Sequence, residues 1–151
     1  MKTSILTLMT AMALALPALA AEDHTHEKKE AGPNGGRVLT AIHPHAEFFV
    51  SADRTVQITF LDEGGKAIAP AAQAVTITAG ERSAPTKLTF IKSGEVLVSE
   101  QPLPEGNDFP TVVQIKDTPE AKAVVEKFNL NVSPCPGCKL AEYACICSHQ
   151  H

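Results

Sequence analysis

Through most of this chain the apolar residues fall on every second position, a spacing that suits a β-strand and not a helix. Val56, Ile58 and Phe60 alternate with Thr55, Gln57 and Thr59, which reads as a strand with one wet face. Val75, Ile77 and Ala79 alternate with Thr76 and Thr78, Leu88 and Phe90 with Lys87 and Thr89, and Val113 and Ile115 with Val112 and Gln114. Shorter apolar runs cover residues 37–42 and 46–50, and Val96 and Val98 are expected to face inward. Turn chemistry separates these runs: Gly32-Pro33-Asn34-Gly35-Gly36, Asp62-Glu63-Gly64-Gly65, Ser93-Gly94 and a proline-rich loop over residues 101–110. The interior prolines are expected in connections, because proline cannot donate to a strand ladder.

One stretch supports two readings. Asp117-Thr118-Pro119-Glu120 looks like a helix start, and Ala121, Val124, Val125 and Phe128 have helical spacing. Against that, Phe128, Leu130 and Val132 alternate with Lys127, Asn129 and Asn131, and asparagine is a poor late-helix residue. Residues 124–132 are therefore read as the last strand. The expectation is an all-β fold: an antiparallel, Ig-like β-sandwich of about seven or eight short strands, with a short irregular Cys/His-rich tail. All the core candidates lie upstream of Ser133, so the β domain is expected to fold without that tail.

The ends differ from this middle. Residues 1–20 fit a secretory signal peptide, with Lys2 as the positive region, an apolar run over residues 5–16 and Ala18-Leu19-Ala20 as the cleavage site. That run is too short to span a bilayer, so no membrane span is expected after cleavage, and the mature protein is expected to be periplasmic or secreted. Residues 21–32 are charged and aperiodic and read as a disordered, histidine-containing linker, with residues 33–132 forming the β domain and 133–151 the tail. The formal net charge is −4, there is no block of Lys or Arg, and aromatics are only 5 %, which argues against nucleic acid as a partner.

Three pieces of this sequence resemble known exported proteins: GPNGGRVL, the acidic Glu47 ahead of Phe48-Phe49-Val50, and VQITFLDEGGKAIAP. They are similar to small uncharacterised exported bacterial β-domain proteins with a GPxGGRV opening. The opening also resembles the N-terminal segment of periplasmic adaptor proteins of heavy-metal efflux systems, where a histidine-rich stretch precedes GPxGG and a β domain. The resemblance covers roughly residues 24–100. It implies an envelope setting, metal ions as ligands and an envelope protein such as a metal-efflux component as partner. The long helical hairpin of an adaptor is absent, so bridging of an efflux pump is not implied, and the cysteine tail is not part of the adaptor pattern.

All four cysteines lie in that tail, at Cys135, Cys138, Cys145 and Cys147, followed by His149 and His151. Three readings fit the spacing C-x2-C-x6-C-x-C-x-H-x-H. Thiolates and imidazoles in one short segment can fill a tetrahedral site, and paired soft sulfurs suit Zn(II) or Cu(I). An even cysteine count in an exported chain equally allows two disulfides, with crossed pairings between the C-x2-C and C-x-C halves easiest to build. Cys135-Pro136-Gly137-Cys138 also has the spacing of a redox pair, but no βαβ pattern surrounds it.

The histidines favour metal. All six fall in His-x-His pairs, His24/His26, His43/His45 and His149/His151, and imidazole is a common ligand for Zn(II) and Cu(II). The resulting expectation is an exported, non-enzymatic metal-binding protein in copper or zinc handling. Its ligands would be Cys135, Cys138, Cys145, Cys147, His149 and His151, with His24, His26, His43 and His45 as weaker candidates, for Zn(II) or Cu(I)/Cu(II). The alternative is a structural or interaction module whose tail is stapled by two disulfides. No G-x-S-x-G turn, Walker loop, dinucleotide fingerprint or H-E-x-x-H is present.

Overall fold

The computed structural model describes residues 29–147; the leader, His24, His26, His149 and His151 lie outside the described residues. Nine strands follow in order: β1 Arg37–Leu39, β2 His45–Val50, β3 Val56–Leu61, β4 Ala67–Ile68, β5 Ala74–Ala79, β6 Thr86–Ser93, β7 Val96–Ser99, β8 Asp108–Lys116 and β9 Val124–Asn131. The helical element is a single 3-10 turn, Glu142–Ala144, among the described residues. No described helix is long and apolar enough to cross a membrane. The ambiguous stretch is a strand: β9 buries Leu130, half-buries Phe128 and exposes Lys127 and Asn129.

All strand pairs are antiparallel, in the order β1-β2-β3-β7-β6-β5-β8-β9, with β4 attached to β3. The long strand β6 turns the corner. Its first half pairs with β5 and its second half, from Phe90 to Ser93, pairs with β7, so the two halves of the molecule form one continuous sheet. The sheet curls nearly into a barrel. Leu39, Phe48, Ile58 and Phe60 from one half meet Ile77, Leu88, Val113 and Leu130 from the other in one core.

Three local expectations are corrected. In β7 the inward residues are Leu97 and Ser99, while Val96 and Val98 are half-exposed. The two-residue turn Gly94-Glu95, with Gly94 at φ 62°, pairs Ser93 with Val96 and so sets Phe90 opposite Ser99. That register carries Leu97 and Ser99 to the face of Leu88, and a change of one residue in parity exchanges the faces of the whole strand. Ser99 is tolerated inside because its hydroxyl accepts the Val56 N–H (2.9 Å) and donates to the Gln101 carbonyl (2.7 Å).

Proline is not confined to connections, because Pro110 lies inside β8. Its carbonyl accepts the Gly80 N–H, so its nitrogen faces the same way, toward the point where β5 has already ended at Ala79.

Thr59 is 2 % exposed and Glu47 fully buried, so β3 does not have the simple wet face expected of it. These two residues are cross-strand partners, and the Gly32-Pro33-Asn34-Gly35-Gly36 turn folds over them. The Glu47 carboxylate accepts the Asn34 N–H (2.9 Å), the Asn34 side-chain amide (2.7 Å) and the Gly36 N–H (2.7 Å). The turn must come close to do this. A Cβ on Gly32 would lie 2.4 Å from the Glu47 side chain, and one on Gly36 would lie 2.3 Å from the Phe48 carbonyl oxygen. Gly36→Ala is expected to destabilise the domain by about 1–3 kcal/mol, since the obstacle is backbone that cannot rotate away. A urea melt of the variant checks this, and an unchanged midpoint would show that the turn can lift off Glu47.

The edge strands β1 and β9 face each other across an unpaired seam. Arg37 on β1 reaches Glu126 on β9 (3.3 Å) and lies over the Phe128 ring, 4.7 Å from its centroid. Phe128 in turn meets Phe48 edge-on at 5.3 Å. The tail closes the rest of this seam. Tyr143 is 6 % exposed and packs edge-on against Phe48 at 5.6 Å, while its hydroxyl accepts the Val50 N–H at 2.9 Å. β1 pairs only as far as Arg37 opposite Phe48, so among the described residues that amide has no strand partner. Burial holds the Tyr143 hydroxyl above its usual ionisation range, with the Val50 N–H opposing and the Glu47 charge adding to the shift. The core therefore extends past Ser133, to Tyr143 and Ala144.

Candidate metal centre

Beyond β9 the chain leaves the sheet as Ser133 donates its N–H to the Asn131 side chain (2.9 Å). Pro134, Pro136 and Gly137 then prevent helix and the residues 135–140 fold into a tight knuckle. The Cys135 N–H donates to the Leu140 carbonyl (2.6 Å) and the Lys139 N–H donates to the Cys135 carbonyl (2.9 Å). Lys139 takes a left-handed conformation, φ 63°, at the point where the knuckle reverses. A bridge between Pro134 and Ala141, with the Glu142 N–H on the Ser133 carbonyl (2.8 Å), brings the chain back alongside itself. The 3-10 turn follows, and it delivers Cys145 and Cys147 to the open side of the knuckle.

The four sulfurs lie within 4.8 Å of one another. Cys135 Sγ is 3.2 Å from Cys145 Sγ, and Cys138 Sγ is 3.7 Å from Cys145 Sγ. All four cysteines are free, and these separations are well beyond the roughly 2.05 Å of a disulfide bond. Four thiolates around a tetrahedral ion at about 2.3 Å stand roughly 3.8 Å apart, so the cluster has the dimensions of such a site. Cys135 is 1 % exposed and the other three are half-buried.

The local electrostatics suit a cation. Backbone N–H groups of Ile146 and Leu140 point at the Cys138 sulfur and pull its thiol down to about 6. The Cys145 sulfur accepts the Cys147 N–H at 3.4 Å, but the neighbouring Cys135 sulfur outweighs it and the Cys145 thiol is raised. Cys147 is pushed up to about 12, first by burial and then by the Cys138 and Cys145 sulfurs. Four crowded sulfurs resist becoming anions together unless a positive ion sits among them.

The structure gathers Cys135, Cys138, Cys145 and Cys147 and leaves His43 and His45 out of that group. Those two rings stand 4.9 Å apart at the start of β2, with His43 exposed and His45 half-buried. His45 does share a cleft of about 590 Å³ with Cys145, Ile146, Asp62, Glu63 and Lys29. His24, His26, His149 and His151 lie outside the described residues. Against known proteins, no family model, curated protein or solved structure matches this chain.

Two residues that shape the centre carry little signal as site residues in the sequence. Lys139 turns the knuckle from a left-handed conformation that glycine or asparagine usually occupies, so its type does not mark the turn. Tyr143 stands between the two cysteine pairs in the sequence, with nothing local to mark it as an anchor. Its role in anchoring the return arm follows from a strand end, at Val50, that lies 93 residues earlier.

Proposed function

We propose that this is an exported, non-enzymatic metal-binding protein in copper or zinc handling, with Cys135, Cys138, Cys145 and Cys147 as its thiolate ligands. The observation that carries the reading is the convergence of four unbonded sulfurs from two arms of one loop. A four-sulfur tetrahedral set suits Zn(II), and soft thiolates also suit Cu(I). Cu(II) prefers nitrogen and oxygen, so it belongs with the histidine pairs. His149 and His151 follow Cys147 closely enough to serve as auxiliary donors. Carboxylates of Asp62 and Glu63 in the adjoining cleft would attract a cation toward the centre.

Export rests on the leader, and an envelope partner such as a metal-efflux component rests on the resemblance of the GPNGGRVL segment. The scaffold is read as a sandwich of the Ig-like kind whose layers are joined along β6, because residues of both halves meet in one core.

Titrating the reduced chain with Zn(II) or Co(II) is expected to show saturable uptake of one ion per chain, with release of protons as thiols become thiolates. At neutral pH Cys138, at about 6, has already lost its proton, whereas Cys147, at about 12, still holds one. Affinity is therefore expected to fall as pH drops, because returning protons compete with the ion for sulfur. The double change Cys135→Ser/Cys138→Ser should abolish uptake at the centre, and His149→Ala/His151→Ala should only weaken it. Reduced protein with no saturable uptake would sink the metal reading.

A second reading, a structural module clasped by an ion in place of the two disulfides expected of the alternative, has one observation in its favour: the centre's loop carries Tyr143 into the seam. Transfer of the ion to a chelator faster than the domain unfolds supports handling. Release only upon unfolding supports the clasp.

A further inference from the structure

Metal and oxidation compete for the same sulfurs, and the geometry bears on what happens when the ion is absent. Both close sulfur–sulfur contacts cross between the arms, from the knuckle to the returning chain, at 3.2 Å for Cys135–Cys145 and 3.7 Å for Cys138–Cys145. The C-x-x-C pair, which has redox spacing in the sequence, is not one of these contacts. Cys145, like Cys138 and Cys147, is half-buried and open to a reagent, whereas Cys135 is 1 % exposed and has Cys145 as its close sulfur neighbour at 3.2 Å. One partner is accessible and the other is sheltered against it.

We infer that Cys135 and Cys145 are an oxidisable pair, and that their disulfide replaces the metal as the clasp holding Tyr143 in the seam between β1 and β9. The part of this inference that concerns metal rests on the proposed four-cysteine centre; the pairing itself does not. The oxidant is a small-molecule disulfide. Cys145 gives up its proton to water, its thiolate attacks one of the reagent's sulfurs, the S–S bond of the reagent breaks, and one thiolate leaves to take up a proton. The Cys135 thiolate then attacks Cys145 Sγ in the mixed disulfide and expels the second thiolate. The protein pair loses two electrons and the reagent gains them.

The bridge would join the same arms as the ion does, one on each side of the 3-10 turn that carries Tyr143. It would also remove two of the four ligands, so the ion and the bridge are alternatives. In an oxidising compartment this keeps the seam closed after metal loss.

The test uses the full chain, stripped of metal and reduced, then treated with oxidised glutathione, alkylated and digested with trypsin. Cleavage after Lys139 separates Cys135 and Cys138 from Cys145 and Cys147, so cross-arm bridges link two peptides and pairs within an arm do not. The expected product links Cys135 to Cys145, with Cys138 and Cys147 alkylated. The Val50 amide, which donates to Tyr143, should exchange about tenfold or more slowly in the oxidised chain than in the reduced metal-free one.

Cys138→Ser/Cys147→Ser should oxidise as fully as the wild type, and Cys145→Ser should form no cross-arm bridge. A dominant Cys135–Cys138 or Cys138–Cys145 product overturns the pairing. Equal Val50 exchange in reduced and oxidised chains overturns the clasp. Zn(II) uptake by the reduced protein is read separately: its loss defeats the metal centre and leaves the pairing standing, while its presence with the wrong bridge defeats the inference alone.

Discussion

Tyr143→Ala is expected to destabilise the domain by about 3–5 kcal/mol, the range for removing a large aromatic side chain from a core. Tyr143 is 6 % exposed, packs edge-on against Phe48 and fills the gap between the unpaired edges β1 and β9. Its loss opens a cavity in the seam and leaves the Val50 N–H without its acceptor. Tyr143→Phe separates the two effects. The ring stays and only the hydrogen bond goes, for a cost of about 1–3 kcal/mol if water cannot reach the amide. Thermal melts of the reduced proteins read both changes, with roughly 10–20 °C expected for the alanine variant in a domain of this size.

A chain ended at Ser133 should fall at least as far as the alanine variant, because it lacks Ala144 and buried Cys135 as well as Tyr143. If the truncated chain melted like the intact one, the tail would be an appendage after all, as its position beyond the last strand suggests. Adding Zn(II) should raise the melting temperature of the wild type, by mass action on the folded state. It should raise that of Tyr143→Ala less if the anchored turn is what brings the two cysteine arms together.

Glu47→Ala is the second large effect, also about 3–5 kcal/mol, because it removes a fully buried carboxylate and strands the donors that surround it. Those donors are the Asn34 N–H, the Asn34 side-chain amide and the Gly36 N–H. Without the carboxylate the turn has nothing to wrap, and the close approach that requires glycine at 32 and 36 becomes pointless. Glu47→Gln keeps the volume and one carbonyl oxygen, so about 1–3 kcal/mol is expected. Asn34→Ala removes the side-chain donor to Glu47 but keeps the backbone one, and should cost less than either change at Glu47. Equal melting of Glu47→Ala and wild type would show that water replaces the carboxylate without loss. The same turn leads into β1, so loss of Glu47 should also loosen the Arg37–Glu126 contact across the seam.

The strands of this protein were legible in its sequence because alternation is a local property. Val75, Ile77 and Ala79 bury one face of β5 whatever lies elsewhere, and Phe128 and Leu130 decided strand over helix for β9 in the same way. Confinement of all cysteines to one short segment was local information too, and it located the candidate centre at Cys135, Cys138, Cys145 and Cys147, the four residues whose sulfurs converge.

Tertiary structure decided what depends on partners distant along the chain. The parity of β7 followed from its pairing with β6, which turned Leu97 inward in place of Val96 and Val98. The purpose of Gly32-Pro33-Asn34-Gly35-Gly36 became visible only when Glu47, a residue that composition alone would place in water, was found inside that turn. The membership of Tyr143 in the core was decided by a sheet that curls almost to closure and stops short of pairing its edges. A sequence pattern reports which side of a strand is apolar, but a seam exists only between strands at opposite ends of the sheet, and only the folded chain shows what must fill it.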